Sequence, residues 1–436
     1  MSKKHQFVSC RRGDQSLDHV RCRAVRRAAH VVDIRGRVRA LSPFVAITLL
    51  LLGADPAIAQ TRAETIRQQQ ADKQRVVAPP SRNRGEVIID RLEDWGFFAG
   101  APRGFYPWLG SVFPGGGLAG GAGVRESFGN DGAVNVFGGY SVERYWRADA
   151  NVELPTFAHN RARVTVSGRY TDAPDVRYHG IGNDTLKEDE THYGAAPAVG
   201  GARLDFEAAK YFSLGGGVNY LDIETSPGRT GLSIEQRFSP ADTPGLDFDS
   251  FSYINSTAHA TFDWRRPAGY SGSGGLYRVQ FDDYHERDDD GHSFRSLEAE
   301  VRQLIPLLHA NWVLALRGLG TVTDIDDGSV VPFFMQPSLG GGTTVRGYPD
   351  FRFRDRHRMV MSAEVRWTPA RFMDMAVFYD TGKVASRRKD LDFDDLQDSY
   401  GIGMRIVGPK GYAFRVEVAH SREHNARLIL GAGRTF

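Results

Sequence analysis

The chain has 436 residues, 49 of them glycine, and a formal net charge of +2. It contains no apolar run of about 18 residues, which excludes a membrane-spanning helix but not a membrane barrel, whose strands hide apolar residues by alternation. Both cysteines, Cys10 and Cys22, fall within the first 59 residues, so the rest of the chain can form neither a disulfide nor a thiolate metal site.

Residues 1–59 read as a basic extension followed by a secretory signal. Arg35, Arg37 and Arg39 supply a positive start, Leu41 to Ala54 an apolar core, and Ala57-Ile58-Ala59 a small-residue site with cleavage expected after Ala59. The extension before residue 38 is featureless, and an alternative start near Val38 is expected to leave it unmade. Residues 1–59 hold 11 of the 55 Lys and Arg and 4 of the 53 Asp and Glu, which leaves 44 and 49 and a net charge of −5 for the remainder. The basic balance therefore belongs to the removed segment, and no nucleic-acid partner is expected. Residues 60–104 are polar, rich in Gln and Arg and broken by Pro79-Pro80, as in a periplasmic linker with a short helix near 62–74.

From residue 105 to residue 436 a different grammar takes over. Strand-like segments fall near 105–113, 116–126, 133–141, 144–154, 161–172, 191–207, 210–222, 251–265, 272–286, 292–305, 311–323, 357–368, 372–382, 398–407, 411–419 and 426–436. Sixteen is an even count, as a bacterial barrel requires. Short joins at 309–310, 369–371 and 408–411 alternate with long polar ones at 173–190, 223–250, 324–356 and 383–397, the layout of an outer-membrane barrel. The predicted fold is all-β: a 16-stranded antiparallel transmembrane barrel.

The clearest alternation flanks a glycine-rich loop. In residues 357–367, Met359, Met361, Ala363, Val365 and Trp367 take one face, and Arg358, Ser362, Glu364 and Arg366 the other. In residues 372–382, Met373, Met375, Val377 and Tyr379 oppose Asp374 and Asp380. Glu364 and Asp380 thus fall on the inward face of neighbouring strands. Just before them runs Gly340-Gly341-Gly342-Thr343-Thr344-Val345-Arg346-Gly347-Tyr348. An arginine folded into a lumen needs such carboxylates, because an unpaired buried charge is very costly.

The Val345-Arg346-Gly347-Tyr348 loop, the Phe378-Tyr379-Asp380-Thr381-Gly382 strand and the Gly-rich closing strand ending in Phe436 resemble the BamA/TamA-like bacterial surface antigens. The resemblance is most specific from about residue 330 onward and looser from 105 to 330. It implies an outer-membrane barrel that folds or translocates other proteins, with its sixth extracellular loop tucked into the lumen. Arg346, Gly347 and Tyr348 would form the loop tip, and Glu364 and Asp380 would hold the arginine. It also implies contact with outer-membrane lipid and lipopolysaccharide, and unfolded outer-membrane proteins as clients. Relatives with assembly roles carry soluble receiving domains of roughly 75 residues before the barrel; about 35 residues cannot make one, so a periplasmic partner acting in trans would have to supply them.

Other features admit alternatives. Gly115, Gly116, Gly117, Gly120, Gly121, Gly123, Gly431 and Gly433 crowd the first and last strands, either to weaken a seam that opens sideways or to let the sheet curve. The acidic runs Asp282 to Asp290 (with His285 and His292) and Asp390 to Asp398 fit no calcium-loop spacing and are expected as solvated loop tips. Gly115-x-Gly117-x-x-Gly120 lacks the strand–helix–strand setting of a dinucleotide site, and Gly269 to Ser273 misses the nucleophile-elbow pattern. No enzyme, cofactor or metal is expected. Phe436, with Leu428, Leu430 and Ala432 on its face, resembles the terminal signal by which barrels are recognised for insertion. The competing functional reading is a gated pore or structural surface antigen, and an outer-membrane hydrolase using His285 and His292 is a distant third.

Overall fold

A computed structural model describes residues 103–266, 272–288, 290–307, 311–326, 328–370, 373–407, 413–432 and 436. The signal segment, the linker to residue 102, both cysteines, Gly433 and the turns at 309–310 and 408–411 lie outside them. The first half of the barrel wall is β1 (Gly104–Gly110), β2 (Ala119–Phe128), β3 (Gly132–Ser141), β4 (Trp146–Glu153), β5 (Ala162–Tyr178), β6 (Thr191–Ala209), β7 (Phe212–Pro227) and β8 (Ser250–Asp263). The second half is β9 (Gly274–Glu286), β10 (Phe294–Pro306), β11 (Trp312–Ile325), β14 (His357–Ala370), β15 (Met373–Ala385), β16 (Gln397–Val407), β17 (Ala413–Ser421) and β18 (Arg427–Ala432). Between β11 and β14, the short strands β12 (Ser338–Leu339) and β13 (Phe353–Arg354) pair with each other and pinch the long loop into a neck.

All sixteen expected strands are present, joined in chain order into one antiparallel sheet. Among the described residues, β1 pairs only with β2 and β18 only with β17. The alternation has the predicted sense. Val365, Trp367, Val377, Tyr379, Ile402, Met404, Leu428 and Leu430 point outward and are exposed, while Glu364, Arg366, Asp380, Arg405 and Glu417 point inward and are buried.

Two expectations shift. β5 and β7 run on to Tyr178 and Pro227, past the strand ends at 172 and 222 that the polar sequence suggests. A bulge between Ala173 and Val176 breaks the period there, and Ala173, Val176 and Tyr178 are buried in a cluster of neighbouring loops with Tyr193 and Ala195 of β6. The glycines also move. Gly115, Gly116 and Gly117 form the loop after β1, and Gly120, Gly121 and Gly123 lie on the second strand. Gly123 faces Tyr106 and Gly121 faces Trp108 across the β1–β2 ladder. A Cβ on Gly123 would sit 2.3 Å from the Tyr106 ring, so this glycine makes room for an aromatic side chain rather than loosening a seam.

The loops at the long-loop end are packed together. Tyr145, Tyr178, Tyr193, Ile234, Leu246 and Phe333 are buried in one cluster drawn from four connections and the strands beneath them. Rings meet edge to face, as Tyr193 does on Phe333 at 4.8 Å. Arg354 joins the cap by donating to the Phe333 carbonyl (2.7 Å) and to Tyr193 Oη (3.1 Å).

Candidate functional site

The loop tip is a tight turn, with the Tyr348 amide donating to the Val345 carbonyl at 3.2 Å. Val345 and Tyr348 are fully buried with Leu339, Phe353, Val360 and Val384, so apolar packing carries the turn inward and leaves Arg346 and Gly347 at its apex. Two glycines are required by space. A Cβ on Gly340 (φ +107°) would sit 1.9 Å from the Pro349 carbonyl oxygen, and one on Gly347 would sit 2.6 Å from Ser399 Cβ and 2.7 Å from Ser421 Cβ. The loop therefore lies against β16 and β17 with no space between.

At that apex Arg346 is 0% exposed. Its Nε and Nη2 donate to the two oxygens of Asp380 on β15 at 2.7 and 2.8 Å, a bidentate pair. Nη1 donates to Glu364 on β14 at 2.6 Å and to Glu417 on β17 at 3.2 Å. Beneath the guanidinium lies the Phe378 ring, 3.4 Å from Cζ to centroid. The expected partners Glu364 and Asp380 are thus both in contact with Arg346, and Tyr348 Oη donates to Gln397 at 3.1 Å.

The sequence reading missed a third carboxylate and three more guanidinium groups. Arg405 bridges Glu364 (2.9 Å) and Glu417 (3.0 Å), Arg366 donates to Glu364 (2.7 Å), and Arg415 donates to Glu417 (3.3 Å). None of these seven charged residues is more than 6% exposed. The signal was present: alternation in 398–407 and 411–419 places Arg405, Arg415 and Glu417 on the inward face. What it could not supply was which of them meet.

Barrel side chains also hold the loop by its carbonyls. Arg317 reaches Thr343 O (2.5 Å), Arg415 reaches Gly342 O (2.9 Å), Arg427 reaches Arg346 O (3.0 Å) and Ser421 Oγ reaches Gly347 O (2.9 Å). Four backbone carbonyls of the loop are thus bonded by side chains of β11, β17 and β18. The arrangement fixes a peptide segment against the inner wall.

The remaining candidates fall elsewhere. Phe436 is buried inside, against Leu304, Val313 and Ala315, whereas Leu428 and Leu430 are exposed outside, so the expected shared face is not formed. Some members of the acidic runs are paired, several of them while still exposed as expected of loop tips. Glu286 is buried on β9 and contacts His292 (3.1 Å), Asp283 pairs with Arg295, and Asp390, Asp392 and Asp398 pair with Arg387, Lys383 and Arg422. Among the described residues no group of three His, Cys, Asp or Glu side chains is placed to hold a metal ion.

A sixteen-stranded antiparallel barrel with an apolar outer face, a charged inner face and an arginine-tipped loop packed on its inner wall defines a class of membrane barrel. The Omp85 superfamily domain matches residues 127–436, and the chain belongs to that superfamily. Among solved structures it is similar to BamA from Haemophilus ducreyi lacking POTRA domains 1–3, at 14% identity and a TM-score of 0.55 over 79% of this chain and 76% of that one. It also matches CdiB from Acinetobacter baumannii, at 12% identity and a TM-score of 0.49 over 75% of this chain and 58% of that one. At such identities the likeness speaks to fold alone. No curated protein sequence matches the chain.

Proposed function

We propose that this Omp85-family barrel sits in the outer membrane of a Gram-negative cell, exported through its secretory signal, and assists insertion or translocation of proteins (or lipids) there. The long-loop end faces outward and the short-turn end faces the periplasm. The observation that carries this reading is the pair of one-sided strands. β1 and β18 each have a ladder on one edge only among the described residues, and a free edge is a template for an incoming strand. The partners are outer-membrane lipid and lipopolysaccharide, an unfolded barrel as client, and a periplasmic protein supplying receiving domains in trans. A gated pore or structural surface antigen is the second reading, favoured by the packed cap and by the loop lying on the inner wall.

Reconstitution in liposomes separates the two. An unfolded client barrel should insert faster into liposomes carrying the protein than into empty ones, and Arg346→Ala should lose that gain. No gain over empty liposomes removes the assembly reading. Single-channel conductance that rises in Arg346→Ala would then establish the gated pore.

A further inference from the structure

Just past the loop tip, Asp350, Phe351 and Arg352 reach both sides of the seam between β1 and β18. Towards the last hairpin, Asp350 Oδ2 accepts from Arg427 Nη2 of β18 at 3.3 Å. Arg352 is 1% exposed and grips Glu423 in the β17–β18 turn, its Nη2 and Nε donating to the two carboxylate oxygens at 2.6 and 2.8 Å. The same guanidinium donates to the Thr185 carbonyl, in the β5–β6 connection, at 2.6 Å. Towards the first hairpin, the Phe351 ring packs on Phe113 of the β1–β2 loop, with 5.9 Å between centroids. A Cβ on Gly115, in that loop, would meet Asp350 Cβ at 3.7 Å, an ordinary van der Waals contact.

The backbone of this segment is held against its preference. Phe351 has φ +63°, a left-handed conformation that a bulky residue avoids and that persists only where its surroundings fix it. Gly341 makes room for the segment, since a Cβ there would lie 2.0 Å from Asp350 Oδ1. No ladder joins β1 to β18 among the described residues, so side chains of a third element supply the joint. We propose that Asp350, Phe351 and Arg352 form a clasp that ties the first hairpin to the last and keeps the seam shut at the long-loop end. Its two halves differ in kind, with an ionic grip on the last hairpin and an apolar one on the first. The clasp stands apart from the assembly reading, because a pore needs a closed wall as much as an insertase needs one that opens.

The test measures spin-label distances by pulsed electron paramagnetic resonance on the full chain in detergent micelles. Cys10→Ser and Cys22→Ser leave only the introduced thiols to be labelled. One labelled pair spans the seam, Val124→Cys on β2 with Leu430→Cys on β18, both exposed positions. A control pair, Val218→Cys on β7 with Val279→Cys on β9, lies away from it. Removing the ionic grip with Asp350→Ala and Arg352→Ala should lengthen the seam distance by one strand spacing, about 5 Å, and leave the control pair unmoved. A seam distance equal in parent and variant overturns the proposal. So does an equal shift in both pairs, which would be general loosening of the wall. Should the double variant fail to fold, Arg352→Lys keeps the charge and loses the two-oxygen grip on Glu423. It should lengthen the seam distance by a smaller amount with the control again unmoved, and no lengthening there also overturns the proposal.

Discussion

Two stretches of the inner wall carry the same kinds of side chain and hold them in opposite conditions. On β14, β15 and β17, Arg346 and its three carboxylates are 0% exposed. On β2 to β6 two pairs are wet: Arg203 meets Asp205 with side chains 53% and 34% exposed, and Arg125 meets Glu153 at 30% and 32%. Alternation sends charge inward on both stretches, so the strands alone do not make the difference. The long loop makes it, by covering one stretch and leaving the other to solvent. Under the loop, ion pairs are cut off from water and each charge depends on its partner; on the open stretch, water does most of what a partner would.

Removing Arg346 should break the contrast most. Arg346→Ala leaves Asp380 and Glu364 sealed without their loop partner, at an expected cost of about 3–5 kcal/mol. Urea unfolding in micelles and protease access to residues 340–350 check this, and a cost under about 1 kcal/mol would mean that the loop does not seal the wall. Gly347→Ala tests the seal sterically, since its Cβ would overlap Ser399 and Ser421; overpacking of this kind should cost about 1–3 kcal/mol. Arg203→Ala, on the open stretch, should change stability by less than about 1 kcal/mol in the same unfolding assay.

The smallest effect belongs to the solvent-facing loops. Glu190, between β5 and β6, is held down to about 2, chiefly by His179, whose Nε2 lies 3.3 Å from its Oε2, with Arg177 adding to it. A depressed carboxyl contributes stability above its ordinary value of 4.5 and loses it as pH falls through about 2. Hydrogen exchange across residues 177–192 should therefore show protection that declines between those limits. Protection that is flat across the range would leave this ion pair without a stabilising role.

The sequence carried the architecture well. The strand pattern announced all sixteen wall strands but not the short pair β12 and β13, because lipid on one side and charge on the other leave a mark that survives without tertiary information. Alternation also put Glu364 and Asp380 on the inward face, while Arg346 as the residue they meet was implied by the family resemblance of its loop. Glu417, Arg405 and Arg415 were visible as inward residues but not as partners, because their meeting depends on how far one strand is staggered against the next. Phe436 was misplaced for a different reason. Its parity along β18 predicts the face of Leu428 and Leu430, whereas it packs against Leu304, Val313 and Ala315, contacts between distant strands that no local period encodes. The cap was illegible too: Tyr178 and Phe333 meet at 5.2 Å although 155 positions separate them, and nothing periodic marks either.

Sharing among the carboxylates has one more consequence. Glu364 Oε1 accepts from both Arg346 and Arg405, and Glu417 Oε1 accepts from the same two groups. Asp380 is tied to Arg346 through both of its oxygens. Drawing the arginine out by a small distance would strain all three acids together without freeing any one of them to water. Partial withdrawal should therefore be unfavourable, and the expected behaviour of the loop is seated or released rather than graded. A ligand that favours release must then discriminate between those two positions by the full free-energy gap; tight binding to both would move nothing.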